Sequence, residues 1–261
     1  MRGEPFLDVL PIWGVFLCTL LLVLLSVEGG YRLGRRRHQR SPEEKEGPVG
    51  AMVGATLGLL AFLLAFTFGL AASRFDARRE VVLDEANAIG TTYLRAAMLP
   101  GHRDELRALL REYVDVRLET VRTGRVKEGI RRSEELQGQL WARTVTLGEK
   151  NPGSIVVGLF TQSLNEVIDL HAKRVAVTIR SRIPGVIWVG LYVVAALSFA
   201  GMGYQSGLAG ASRSVEILAV ALAFSAVIWL IADLDRPGEG LLQVNQQAML
   251  DLQSSLGEPK R

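Results

Sequence analysis

Pro48-Val-Gly-Ala-Met-Val-Gly-Ala-Thr-Leu-Gly-Leu-Leu-Ala-Phe-Leu-Leu-Ala-Phe-Thr-Phe-Gly-Leu-Ala-Ala-Ser73 decides the fold. No charged residue interrupts it between Val49 and Ser73. About 20 apolar residues in a helix already cross the hydrocarbon core of a bilayer, so this stretch is long enough to span with some tilt. Pro48 sits where a first helical residue belongs, because its missing N–H costs nothing there. Gly50, Gly54 and Gly58 recur every four residues and form one narrow ridge, which Phe62, Phe66 and Leu70 continue. Small residues at this spacing let helix backbones approach closely in lipid. Alternatively, the bulky end of the row, Phe62 and Phe66, faces an axial pore and constricts it.

The rest of the composition agrees with a membrane protein. The chain has 261 residues, 49% hydrophobic and 22% charged, with mean hydropathy +0.23. Apolar runs lie towards both ends, and most of the charge lies in the middle. A net charge of +3 is too small to argue for nucleic acid as a partner. The arginine clusters flank apolar runs, where lipid and topology account for them. The single cysteine, Cys18, lies inside an apolar run, so neither an intrachain disulfide framework nor a cysteine-based zinc site is expected.

Outward from the central stretch, the pattern predicts four spans. A short segment, 1–8, precedes a first span at 9–27, read as a retained helix because no small-x-small cleavage site follows it. A basic and then acidic connector, 28–47, reads as a surface loop, and the second span is 48–73. The polar middle, 74–183, reads as helices: Arg74 to Met98, Asp104 to Gly124, Val126 to Leu147, and Ile155 to Ile183. Pro100-Gly101 and Asn151-Pro152-Gly153 separate them. Leu106, Leu109, Leu110 and Tyr113 form an apolar helical face, with Arg107 and Arg111 turned away from it. The third span is 184–204, a short connector follows at 205–214, the fourth span is 215–232, and the tail, 233–261, carries a short helix from Leu241 to Leu256. Trp13, Trp188 and Trp229 fall at span ends on one side, as an interfacial belt would. Arginines occur on both sides of the spans, so the positive-inside rule is nearly balanced.

No enzyme motif is present: there is no P-loop, no dinucleotide glycine fingerprint, no nucleophile elbow and no histidine pair at metal spacing. The reading is therefore not an enzyme, with no cofactor and no metal. Asp233, Asp235 and Glu239 form a small acidic group that could hold a divalent cation or simply end a helix at Pro237-Gly238. Directly after the second span, Arg74, Arg78, Arg79, Glu80, Asp84 and Glu85 alternate in sign at three- and four-residue spacing. They read either as a salt-bridged helix or as rings of charge at a pore mouth.

Several of these stretches resemble the bestrophin-like family, bacterial membrane proteins related to bestrophin channels. They are Gly58-Leu-Leu-Ala-Phe-Leu-Leu-Ala-Phe-Thr-Phe-Gly69, Arg74-Phe-Asp-Ala-Arg-Arg79, Glu85-Ala-Asn-Ala-Ile-Gly90, Tyr93-Leu-Arg95, Tyr113-Val-Asp-Val-Arg117 and Asp233-Leu-Asp-Arg-Pro237. The resemblance implies an all-α, four-span fold with a helical polar domain between the second and third spans, in the inner membrane. It implies a homo-oligomer, a pentamer, whose second spans surround an ion pathway. Phe62 and Phe66 match two positions of the family's neck, and the third falls on Gly58. The calcium clasp of animal bestrophins is reduced here to Asp233 and Asp235.

The expected function is passive ion conduction with a slight bias to anions, from Arg74, Arg78 and Arg79. The expected partners are the lipid bilayer, further copies of the chain and the permeant ions. The alternative is a non-conducting membrane scaffold or sensor whose helical domain binds a protein partner.

Overall fold

The computed structural model describes residues 10–40, 47–210, 215–236, 238 and 240–257. The expected segment 1–8, the acidic residues 43–46 and Glu239 lie outside the described residues. The described residues form helices α1 (Ile12–Arg40), α2 (Gly47–Ala96), α3 (Arg103–Thr123), α4 (Val126–Lys150), α5 (Ile155–Val175), a π-helical segment (Ala176–Arg180), α6 (Gly185–Leu208), α7 (Val215–Asp235) and α8 (Gln247–Gly257). Among the described residues there is no strand. Four of the helices, α1, α2, α6 and α7, are long and apolar enough to cross a membrane. The protein is an all-α membrane protein.

The largest departure from expectation is the basic connector. Residues 28–40, expected as loop, continue α1 to Arg40. Three forces hold them helical. Arg32 Nε pairs with Glu28 Oε1 one turn back at 2.6 Å. Arg37 and Arg40 lie in the last turn, where cations complement the helix dipole. Gly30 and Gly34 seat this part of the helix on α6. The other end shifts are smaller. Helix α5 stops at Val175 rather than Ile183, and the chain is non-helical from 181 to 184. Pro184 disfavours helix at the residue before it. The tail helix begins at Gln247 rather than Leu241, because the Leu241 and Leu242 amides are engaged elsewhere.

The chain divides into two compact units, 1–75 with 182–243, and 76–181 with 244–261. The first contains the apolar helices. Its core includes Val15, Leu60, Leu191, Phe199, Phe224 and Ile228, and Phe199 meets Phe224 edge to face at 5.1 Å. Four glycines set the contact between α1 and α6. A methyl at Gly30 would lie 1.9 Å from Ala200 O, at Gly34 2.2 Å from Tyr204 O, at Gly203 2.1 Å from Val27 O, and at Gly207 2.4 Å from Tyr31 O. The two backbones touch, which only glycine allows. Of the tryptophans placed in a belt, Trp13 is exposed but Trp188 is buried in this core, so it packs the bundle instead of facing lipid.

The second unit is polar outside and apolar inside. Leu106, Leu110 and Tyr113 are fully buried, Leu109 packs at their edge, and Arg111 is exposed. Arg107 stacks over the Tyr93 ring at 4.5 Å rather than facing water alone. Gly124 ends α3 in the left-handed region at φ 69°. Gly129 lies buried in α4. It lets the helix close on α3, since a methyl there would lie 1.8 Å from Thr120 Oγ1.

Candidate functional site

The second span is the least covered by its own chain. Of its most apolar window 11% is buried, against 28% for α1 and α6 and 44% for α7. Leu60 and Ala71 anchor one side of α2 in the first unit's core. The other side is bare, with Phe62 66% and Phe66 58% exposed. They lie on the row continued from the glycines. Nothing in the chain lies within 4 Å of where a methyl would stand on Gly54 or Gly58, and Gly50 meets only Gln205. The expected glycine ridge therefore packs against no helix of the same chain at Gly54 and Gly58. Close packing within the chain belongs instead to Gly30, Gly34, Gly203 and Gly207, whose four-residue spacing on two helices was the sequence signal for it.

The charges after the span differ in exposure. Arg79 and Glu80 are exposed, Arg74 is half-buried, and Asp84 lies 3.9 Å from Lys173. Arg78 and Glu85, expected at a pore mouth, are buried within the chain at 2% and 0% exposure. Arg78 Nη2 donates to Ser181 O at 3.0 Å. Both are corrected from surface charges to internal ones, because in this helix the face that carries them turns into the second unit.

Glu85 is the centre of a buried network that sequence reasoning missed. Arg174 Nη1 donates to its Oε2 at 2.5 Å. Arg117 Nη2 donates to Oε2 at 3.4 Å, and Arg117 Nε sits 3.1 Å from Oε1 as an ion contact without an aligned hydrogen bond. The Tyr113 hydroxyl donates to Oε1 at 2.9 Å. Its proton is spent there, so its oxygen accepts from Gln137 Nε2 at 3.3 Å and from His171 Nδ1 at 3.1 Å. This fixes His171 as the Nδ1–H tautomer, with Nε2 a buried acceptor lacking a hydrogen-bond partner. Arg174 Nη2 also donates to Gln246 Oε1 at 3.0 Å, tying in the segment before α8.

The electrostatics follow from this geometry. Burial alone would push the Glu85 carboxyl up, but Arg117 and Arg174 outweigh it and hold it below the usual range. Burial and then the positive charge of Arg117 drive His171 down to about 4, against the opposing pull of Glu85. Burial and the Glu85 charge push the Tyr113 hydroxyl up, so it stays a phenol. The network is a clamp joining α2, α3, α4 and α5. It was legible in part: Arg117 extends the apolar row of Leu106, Leu110 and Tyr113, and His171 and Arg174 extend that of Phe160, Leu164 and Val167. A charge on a buried stripe signals a buried partner.

Asp233 and Asp235 are also internal. Asp233 accepts from the Leu241 and Leu242 amides, both at 3.0 Å, with Gly240 pressed against its carboxylate. Asp235 accepts from the Ile183 amide at 3.0 Å. Asp233 thus holds the chain just after α7, and Asp235 holds the segment that leads into α6. The residues do not fit a calcium clasp. Among the described residues no three His, Cys, Asp or Glu side chains gather as a metal site would require.

Comparison with known proteins follows this architecture. A bacterial bestrophin homologue from Klebsiella pneumoniae is similar in structure, with TM-score 0.64, 16% identity, and 93% of this chain matched to 96% of that one. A point variant of that homologue matches at TM-score 0.64 and 14% identity, over 94% of this chain and 97% of its own. A crystal structure of a membrane-protein variant matches at TM-score 0.63 and 17% identity, over 92% and 95%. At such identities the likeness is one of fold. No curated protein matches the chain in sequence. The description of the bestrophin-like domain matches residues 17–249, nearly the whole of the described chain. The chain belongs to the bestrophin-like family.

Proposed function

We propose that this protein is an oligomeric ion channel in which copies of α2 surround a central pathway. The observation that supports it most is the bare, uncharged face of α2, in a chain whose other spans cover one another better. In a ring of copies, Phe62 and Phe66 would converge one turn apart. The aromatic rings would leave an apolar opening that water fills poorly, and an ion there meets a dehydration barrier with no carbonyl or charge to offset it. The family's resemblance to pentameric channels supports a pentamer, and the bacterial homologues support the inner membrane. A preference for anions is the finer arm of the proposal. With Arg78 buried, that bias rests on Arg74 and Arg79 alone, and Glu80 and Asp84 oppose it, so it is expected to be weak.

Planar bilayers with purified protein test the reading. Phe62→Ala/Phe66→Ala is expected to raise conductance while the oligomer, measured by mass in detergent, stays intact. The reversal potential in a salt gradient tests the anion arm. An intact oligomer that passes no current in either form rejects the channel and leaves the scaffold.

A further inference from the structure

We propose that the groove between the end of α1 and the start of α7 binds an acidic phospholipid, with an acyl chain in the groove and the phosphate on Arg32 and Arg35. The groove measures about 360 Å³, and its walls are Leu24, Leu25, Val27, Glu28, Tyr31, Ile217 and Leu218. That is the size of a small-ligand pocket, ~300–1,000 Å³. It lies where the apolar part of α1 ends beside the start of α7. The apolar run of α1 stops at Val27, and Glu216 lies in the first turn of α7. Hydrocarbon walls thus give way to polar groups at one level, as acyl chain gives way to headgroup in a lipid.

The charge above the groove follows from the helical continuation of α1. Leu24, Glu28 and Arg32 succeed one another at four-residue intervals, and Arg35 stands seven after Glu28, so both arginines lie on the groove's face one and two turns beyond it. A loop at 28–40 would not have held them there. Arg32 is 69% exposed and uses Nε toward Glu28. Arg35 Nη1 donates to Tyr31 Oη at 3.2 Å. Each guanidinium carries five donors, so these bonds leave N–H groups for phosphate oxygens. Arg36, Arg37 and Arg40 add positive charge at the same end, against Glu28 and Glu216. The Gly30 and Gly34 side of this segment is committed to α6, so Arg32 and Arg35 stand on the groove side. An anionic headgroup beside an arginine-rich helix end is favoured electrostatically.

The proposal does not rest on the channel reading, and its test measures no current. Full-length protein in detergent is titrated with phosphatidylglycerol and, separately, phosphatidylcholine of the same chain length, and retained lipid is counted by native mass spectrometry. Phosphatidylglycerol is expected to be retained preferentially. Arg32→Gln/Arg35→Gln is expected to lower that preference roughly tenfold or more, and Arg32→Lys/Arg35→Lys to restore most of it. Leu218→Trp, which fills the groove and leaves the arginines, is expected to reduce retention as well. Arg131→Gln/Arg143→Gln, which removes the same charge from the polar unit, is expected to leave it unchanged. Equal retention of the two lipids overturns the proposal, as does a preference indifferent to Arg32 and Arg35. Displacement of the lipid by inorganic phosphate alone, with no contribution from Leu218, overturns it in favour of a free-phosphate site.

Discussion

The two units invert each other. The polar unit buries a cluster of charge within its apolar core: Glu85, Arg117 and Arg174 are buried, and the carboxylate is engaged at both oxygens. In the apolar unit the hydrocarbon is outside: Phe62 and Phe66 are bare and adjoin no charge. Water explains the first arrangement, since a buried charge survives only with partners. Lipid explains part of the second, because an exposed aromatic costs nothing in a bilayer. It does not explain why α2 should be barer than α1, α6 and α7. The inside charges are satisfied within the chain, whereas the outside apolar face is the one on which the proposed ring of copies rests.

The largest effect is expected from breaking the finished side. Glu85→Ala leaves two guanidiniums facing each other without a counter-charge. Removing one partner of a buried pair costs about 3–5 kcal/mol, and thermal unfolding should show it in the polar helices. Replacing Glu85, Arg117 and Arg174 together by apolar residues of similar size should cost far less, because no orphaned charge remains. A triple variant as unstable as Glu85→Ala would mean that the network's shape, not its charge balance, holds the unit.

Acid probes the same network through His171. Its folded pKa of about 4 lies below the ordinary value of 6.5. Above pH 6.5 the imidazole is neutral in both states and contributes no pH dependence. Between pH 6.5 and 4 the unfolded chain takes up a proton that the folded chain refuses, so stability falls as pH falls and levels off below 4. The loss is about 3 kcal/mol at most. Glu85 has a depressed folded pKa, so its contribution is lost only at lower pH, as the carboxylate itself is protonated. Unfolding midpoints measured from pH 7 to 4 should slope in wild type, and the slope should shrink in His171→Gln.

What could be read from the chain divides along the same line as the two units. Apolar length located the four spans, and helical periodicity put Leu106, Leu110 and Tyr113 inside, because burial of hydrocarbon is written in spacing. The end of α1 was misjudged because the deciding force is tertiary: Gly30 and Gly34 against α6 kept a basic stretch helical. Glu85 and Arg78 looked like surface charges because their neighbours Arg79, Glu80 and Asp84 are polar too. Only the distant Arg117, Arg174 and Ser181 reveal that they are buried. Partners separated by tens of residues in sequence leave no local periodicity to find.

The other side of the comparison holds the smallest effects, those at Gly54 and Gly58, and they tell the most about assembly. Gly203→Ala places a methyl against Val27 O and must part α1 from α6, an overpacking cost of roughly 1–3 kcal/mol or more. Gly54→Ala and Gly58→Ala meet nothing in their own chain. Within one chain each should be slightly stabilising, by roughly 0.5–1 kcal/mol, because alanine suits a helix interior better than glycine. A departure from that small gain therefore reports contacts made by other copies. If copies of α2 press their glycine ridges together, Gly54→Ala lowers the oligomer's melting point and shifts it toward single chains in detergent. If Gly58 lines an opening with Phe62 and Phe66, Gly58→Ala leaves the oligomer intact and narrows the passage by a ring of methyl groups, reducing conductance in planar bilayers. If both variants keep the wild-type mass and the wild-type conductance, the glycine row faces lipid, and the face that copies share must be sought elsewhere on α2.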